Sequence, residues 1–152
     1  MNKIKQCLGI LLLSLTVVSC RQKVVSPVPV DALPPIWPDY AGVTIPATIA
    51  PLNFRVTADG AEAVDVVISG KKGDPIRTSG ESVEIPAGKW SELLENNKGD
   101  SLEVKVCIRQ NGEWKAYRSF PFYISPFPID YGLVYRLLAP GYEIYSKMGI
   151  YE

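Results

Sequence analysis

Leu102, Val104, Val106 and Ile108 alternate with Glu103, Lys105, Cys107 and Arg109. A period of two sends alternate side chains to opposite faces of an extended backbone, so this run is a half-buried strand. Leu52, Phe54 and Val56 repeat the pattern, as do Val64, Val66 and Ile68. Asp59-Gly60 marks a turn between them, GKKGDP marks a second, and Ser82 to Ile85 reads as a further short strand. The period changes at Lys89 to Asn97, where Trp90, Leu93 and Leu94 share one helical face and Gly99 suits the exit. Short strands cut by turns must bury one face of each against a second layer. Residues 41–128 are therefore expected to form an all-β, immunoglobulin-like β-sandwich with one short helix bridging two strands. The cysteine-tryptophan-cysteine signature of antibody domains is missing, so the expectation concerns architecture and not family.

Asn111-Gly112 is a hairpin signal, and two loop lengths compete for it. A two-residue loop pairs Ile108 with Lys115 and sends Trp114 to the polar face. A three-residue loop pairs Ile108 with Trp114, Val106 with Ala116 and Leu102 with Phe120, and sets Arg109 opposite Glu113. Because a one-residue slip reverses every side chain, the hydrophobic pattern favours the three-residue loop. Cys107 then points away from the core near Lys105, Lys115 and Tyr117, whose lysines would lower its thiol pKa. A lone strand cysteine is nevertheless expected to be inert.

The first residues differ in kind. Lys3 and Lys5 precede an apolar run from Leu8 to Val18, too short to cross a bilayer comfortably. It ends in Val17, Val18 and Ser19 before Cys20, a stretch that resembles a bacterial lipobox. The other readings are an ordinary signal peptide with an incidental cysteine, or an anchor helix. Residues 1–19 are expected to be a signal peptide, and Cys20 a lipidated N-terminus. Residues 20–40, rich in proline, are expected to be a semi-rigid linker. Trp37 within it either tucks onto the domain or contacts a partner. The resemblance implies several acyl chains on Cys20, which stable anchoring requires.

Composition removes whole classes. Histidine is absent, which excludes Ser-His-Asp and Cys-His catalysis, His-ligated zinc and Cys-x-x-Cys-His haem attachment within these residues. Sixteen basic residues less Lys3 and Lys5 leave fourteen against sixteen acidic ones, about −2 with no basic stripe, so nucleic acid is not an expected partner. After loss of Cys7 and acylation of Cys20, Cys107 is alone and no internal disulfide can form. Asp59, Glu62 and Asp65 cluster, but with no calcium-loop spacing, and read as a solvated turn. Asp74, Glu81 and Glu84 read as surface charge rather than an acid–base pair. Neither catalytic residues, a metal site nor a cofactor are expected. Trp90 and Trp114 read as core by their apolar spacing, leaving few rings for an exposed platform.

Residues 129–152 read as an apolar junction, the start of a further C-terminal domain. Pro128-Ile129-Asp130, Tyr131, Leu133 to Leu137, Pro140 to Glu143 and Met148 to Tyr151 resemble the junction in a family of Bacteroidetes envelope lipoproteins. IAPLNFRV, IPAGKWSELLENNKGDSLEVKV and WKAYRSFPFYI extend the likeness across the chain. In that family a lipobox and small β-domain precede the junction, and a Cys-x-x-Cys-His segment and TolB-like β-propeller follow it. Neither later part is present here, so no role attached to them transfers. The resemblance implies an N-terminal accessory domain in the cell envelope, lipid-anchored in the outer membrane and facing the periplasm. Arg21-Gln22-Lys23 lacks the acidic cluster that resembles surface-export signals in this phylum, which favours the periplasmic side.

Two functions are expected from this reading. The first is a membrane-tethered, non-enzymatic accessory domain positioning a C-terminal propeller or protein partner, with Tyr131, Tyr135, Tyr142, Tyr145, Met148 and Tyr151 as a partner-contact strip. The alternative is a glycan-binding β-sandwich module.

Overall fold

The computed structural model describes residues 23–129, together with the backbone of residues 135–137 and 149–151. Residues 1–19, expected to be a signal peptide, and Cys20 lie outside these residues. The described residues form an all-β, sandwich-like fold of mixed sheets with one short helix.

The order along the chain is β1 (Val28–Val30), β2 (Ile36–Trp37), β3 (Thr44–Pro46), β4 (Phe54–Val56), β5 (Ala63–Ser69), β6 (Ile76–Ser79) and β7 (Ser82–Val83). Then come α1 (Ala87–Asn96), β8 (Ser101–Gln110), β9 (Glu113–Tyr117) and β10 (Phe120–Ser125), followed by β11 (Tyr135–Leu137) and β12 (Gly149–Tyr151). The small sheet runs β2-β4-β7. In the large sheet β8 is central, flanked by β5 and β6 on one side and by β9 and β10 on the other. β1 adds parallel to β9, and β3 parallel to β10. Pairing β4 with β7 in one sheet and β5, β8 and β9–β10 in the other gives the two-sheet, sandwich-like arrangement the strand pattern predicts.

The alternating residues do what their spacing requires. Val64, Val66 and Ile68 of β5 and Leu102, Val104, Val106 and Ile108 of β8 are buried, facing Phe54, Val56 and Val83 of the small sheet in one core. Trp90, Leu93 and Leu94 plug that core from α1, which carries the chain from one sheet to the other. The Trp90 ring meets Phe122 edge-on, at 6.1 Å and 83°, and its Nε1 donates to Ile49 O at 3.1 Å. A buried indole thus finds a polar partner as well as apolar cover.

The hairpin takes the two-residue loop, not the three-residue one. Ile108 pairs with Lys115, Arg109 with Trp114 and Gln110 with Glu113. Asn111 (φ 51°) and Gly112 (φ 79°) both adopt the left-handed backbone that a type I′ turn needs. Further along, Phe120 pairs with Val104 and Phe122 with Leu102, a register one residue out of step with the turn. The extra residue is taken up at Arg118–Ser119, between β9 and β10, as a β-bulge. The bulge reverses parity: Phe120, Phe122 and Ile124 face the core while Trp114 does not. The expected pairing tried to keep Trp114 and Phe120 on one face of an unbroken strand. Lys115, at a core-parity position near the sheet's end, extends to Gln110 Oε1 (3.1 Å), its head escaping past the rim.

The linker expectation is also corrected. Residues 28–37 supply an edge strand to each sheet. Pro29 sits in β1, which pairs only with β9, and proline's missing N–H is tolerated on an edge. Ala32 O accepts from Arg118 N (2.9 Å) at the bulge, and Pro35 O from Thr57 N (2.9 Å), so the segment is stitched to both sheets.

Within the junction segment β12 pairs antiparallel with β11, Tyr151 opposite Tyr135 and Gly149 opposite Leu137. Tyr131, Tyr142, Tyr145 and Met148 lie outside the described residues.

Candidate functional site

Three surfaces of the sandwich carry chemistry. The first is the outer face of the small sheet. Trp37, left open by the sequence, is 70 % exposed, whereas Trp90 is 1 %. It stands on β2 directly opposite Arg55 of β4, which stands opposite Ser82 of β7. Trp37, Pro38, Asn53, Phe54, Arg55 and Ser82 line an open depression of about 310 Å³. Phe54 is buried and forms the floor, since its backbone belongs to β4 and its ring to the core. Asn53 Oδ1 accepts from Ile85 N at 2.9 Å, fixing one wall. Arg55 Nε lies 4.0 Å from Glu81 Oε1, and both side chains are about two-thirds exposed, so this pair is loose.

The second surface is the outer face of the large sheet. A row crosses it from Ala116 through Cys107 to Asp65 and Ser79. Cys107 is half-buried, and burial, then the neighbouring Asp65 carboxylate, push its thiol above the ordinary range. That reverses the expected lowering by lysines, because Lys115 belongs to the opposite parity and Lys105 is engaged by Glu103 at 3.0 Å. Glu103 also accepts from Ser119 Oγ (2.9 Å) at the bulge. The Lys105 and Ser119 hydrogen bonds hold its carboxyl below the usual range. Trp114 was expected in the core. It is buried, yet on this outer face beside Arg109, and shares a depression with Lys23, Val25 and Ser26 from the chain ahead of β1 and with Val28 at the start of β1.

The acidic cluster is spread by the fold. Glu62 accepts from Gly112 N (3.1 Å) and lies 3.4 Å from Arg109 Nε, so it braces the hairpin, while Asp65 faces the Cys107 row. Among the described residues no cluster of three or more potential metal ligands occurs. Asp74, Glu81 and Glu84 are all exposed.

The third surface is the end where β10 finishes. Tyr123 is half exposed, Phe127 is 74 % exposed and Ile129 is 61 % exposed. Tyr123 lies within β10, whereas Phe127 follows that strand and Ile129 opens the junction segment. The signal that marks them in the sequence is the run SPFPI, apolar residues between prolines past the last strand.

No protein-family model, no curated protein and no solved structure matches this chain. Among the described residues no helix is long and apolar enough to cross a membrane.

Proposed function

We propose that this chain is a membrane-tethered, non-enzymatic accessory domain of the cell envelope that holds the segment after it away from the bilayer. One observation carries the reading: the chain joins and leaves the sandwich at opposite ends. β1 starts beside the Asn111-Gly112 turn, because Val28 pairs with Lys115 and the two strands are parallel. β9 and β10 then run the length of the large sheet, and the chain departs after Ser125. Glu113 to Ser125 at about 3.3 Å per residue spans roughly 40 Å. The near end follows the lipobox-like Cys20 by only a few residues, and the far end bears exposed Phe127 and Ile129. A lipid on Cys20 would seat the near end at the membrane and present the far end outward. The resemblance to envelope lipoproteins supports the same reading, with Tyr131, Tyr135, Tyr142, Tyr145, Met148 and Tyr151 as the contact strip for a following domain or partner.

The test is fractionation together with co-purification. Cys20→Ser should release the chain from the membrane fraction and leave its circular dichroism unchanged. Removal of residues 130–152 should leave the chain membrane-bound but strip it of co-purifying envelope protein. A Cys20→Ser chain that still sediments with membranes overturns the tether, and a shortened chain that keeps its partner overturns the strip.

A further inference from the structure

We infer that the outer face of the small sheet is a carbohydrate site, where a pyranose ring stacks on Trp37 and its hydroxyls bond to Arg55 and Ser82. This is independent of the tether. A 70 % exposed indole is costly to leave in water, and this one is not a loose side chain. Its strand is bonded to β4 through Ile36–Val56 and Trp37–Arg55, Ile36 packs against the core, and Thr57 N donates to Pro35 O just before it. The ring is therefore presented on a fixed backbone, and a ligand meets it with little further ordering.

The neighbours specify what that ligand is. Trp37, Arg55 and Ser82 form one row across three strands, about 10 Å long at the usual strand spacing. The apolar part of the row is a single ring, bordered by a guanidinium, a hydroxyl and the Glu81 carboxylate. A protein partner would need an apolar centre within some 800 Å² of contact, and of the residues lining this depression only Trp37 is a large apolar side chain left exposed. A pyranose has the matching composition: an apolar C–H face for the ring's negative π surface, and a rim of hydroxyls for the charged and polar groups. The depression of about 310 Å³ lies at the small end of ligand sites, suited to one or two sugar rings. The loose Arg55–Glu81 pair leaves both groups able to turn to hydroxyls, one as donor and one as acceptor.

The test uses the full chain in a detergent without a sugar headgroup. It is titrated with cello-, malto-, xylo-, manno- and chito-hexaose and with oligogalacturonate, followed by tryptophan fluorescence and calorimetry. Saturable binding of at least one of these is expected. Trp37→Ala should weaken it at least tenfold, about 1.4 kcal/mol, with unchanged circular dichroism. Trp37→Phe should retain most of the affinity, and Arg55→Ala should weaken it several-fold. No binding across the panel, or binding that Trp37→Ala leaves intact, overturns the inference. So does a Trp37→Ala variant that loses a protein partner while sugar binding is absent. Cys20→Ser should not affect any of these titrations, which separates this outcome from failure of the tether.

Discussion

The Asn97 side chain lies so close over Gly70 that a methyl group there would fall within 2.6 Å of its Cγ and Oδ1 and collide with Nδ2. Asn97 caps α1 and is 3 % exposed. Its Nδ2 donates to Leu93 O and Lys72 O, both at 2.8 Å, and its Oδ1 accepts from Lys72 N at 3.1 Å. One amide thus closes the helix and pins the β5–β6 loop to it, and the loop approaches closely enough only because Gly70 has no side chain.

Asn97→Ala should lower stability by about 2–3 kcal/mol, since it leaves buried backbone groups without partners. Gly70→Ala should cost about 1–3 kcal/mol through overpacking. The double variant should be less damaged than the two costs added, because each change removes what the other disturbs. Urea unfolding of the four proteins measures that coupling, and strict additivity would contradict the contact.

Trp90 and Trp37 should separate sharply on thermal melts. Trp90→Ala, which empties the core beside Phe122, should cost about 3–5 kcal/mol. Trp90→Phe should cost less, chiefly through the lost bond to Ile49 O. Trp37→Ala should stay within about 0.5 kcal/mol of the parent.

Cys107 should react slowly with iodoacetamide at neutral pH relative to a free thiol, because burial and Asp65 disfavour its thiolate. Asp65→Asn should raise the rate by removing the nearby charge. The linkage has a definite sign. A raised pKa means the folded state holds its proton longer, so this contribution is complete below about pH 8.5 and declines as pH rises past the unfolded thiol's pKa. A rate profile from pH 7 to 10 checks it.

The acid limb should follow Asp100 and Glu103. Asp100 is held below its usual range by the Lys71 hydrogen bond at 2.7 Å and then by Ser101 N. Glu103 is held down by Lys105 and Ser119. Lowered carboxyl pKa values stabilise above the unfolded values, and the contribution is lost as pH falls through the folded ones. Melting temperature measured from pH 7 to 2 should therefore drop less steeply in an Asp100→Asn/Glu103→Gln protein.

Deleting Ser119 tests the bulge. With one residue fewer, the strand can keep the hairpin register or the Phe120–Val104 register, not both. Either Phe120, Phe122 and Ile124 turn outward or the Asn111-Gly112 turn breaks. Loss of cooperative unfolding is expected. Ser119→Ala, which keeps the residue and loses only the bond to Glu103, should cost about 1 kcal/mol.

The legible parts of this fold are those where one rule acts alone. Val64 to Ile68 and Leu102 to Ile108 kept strict alternation, and Trp90, Leu93 and Leu94 kept helical spacing, so their buried faces follow directly. Failures came where two demands met on one segment. In β9–β10 the turn chemistry and the core pattern require opposite parities, and a bulge reconciles them. In residues 28–37 the prolines resemble a spacer, but each strand there is an edge with only one neighbour to satisfy. Strand β6 carries one buried apolar residue, Ile76, too little for a periodic signal. Trp37 was ambiguous for a related reason: alternation says which side a residue takes, not whether another layer covers that side.

The opposite placement of the two chain ends has a mechanical meaning. Suppose the end where β1 begins is held and the segment beyond Ser125 is pulled. The pull draws β1 backwards along its own axis while β9 and β10 are drawn forwards. Because β1 and β9 are parallel, their hydrogen bonds bear the load side by side and must yield together, rather than parting one at a time like a zip. Short as it is, this pairing is the latch through which tension would reach the domain.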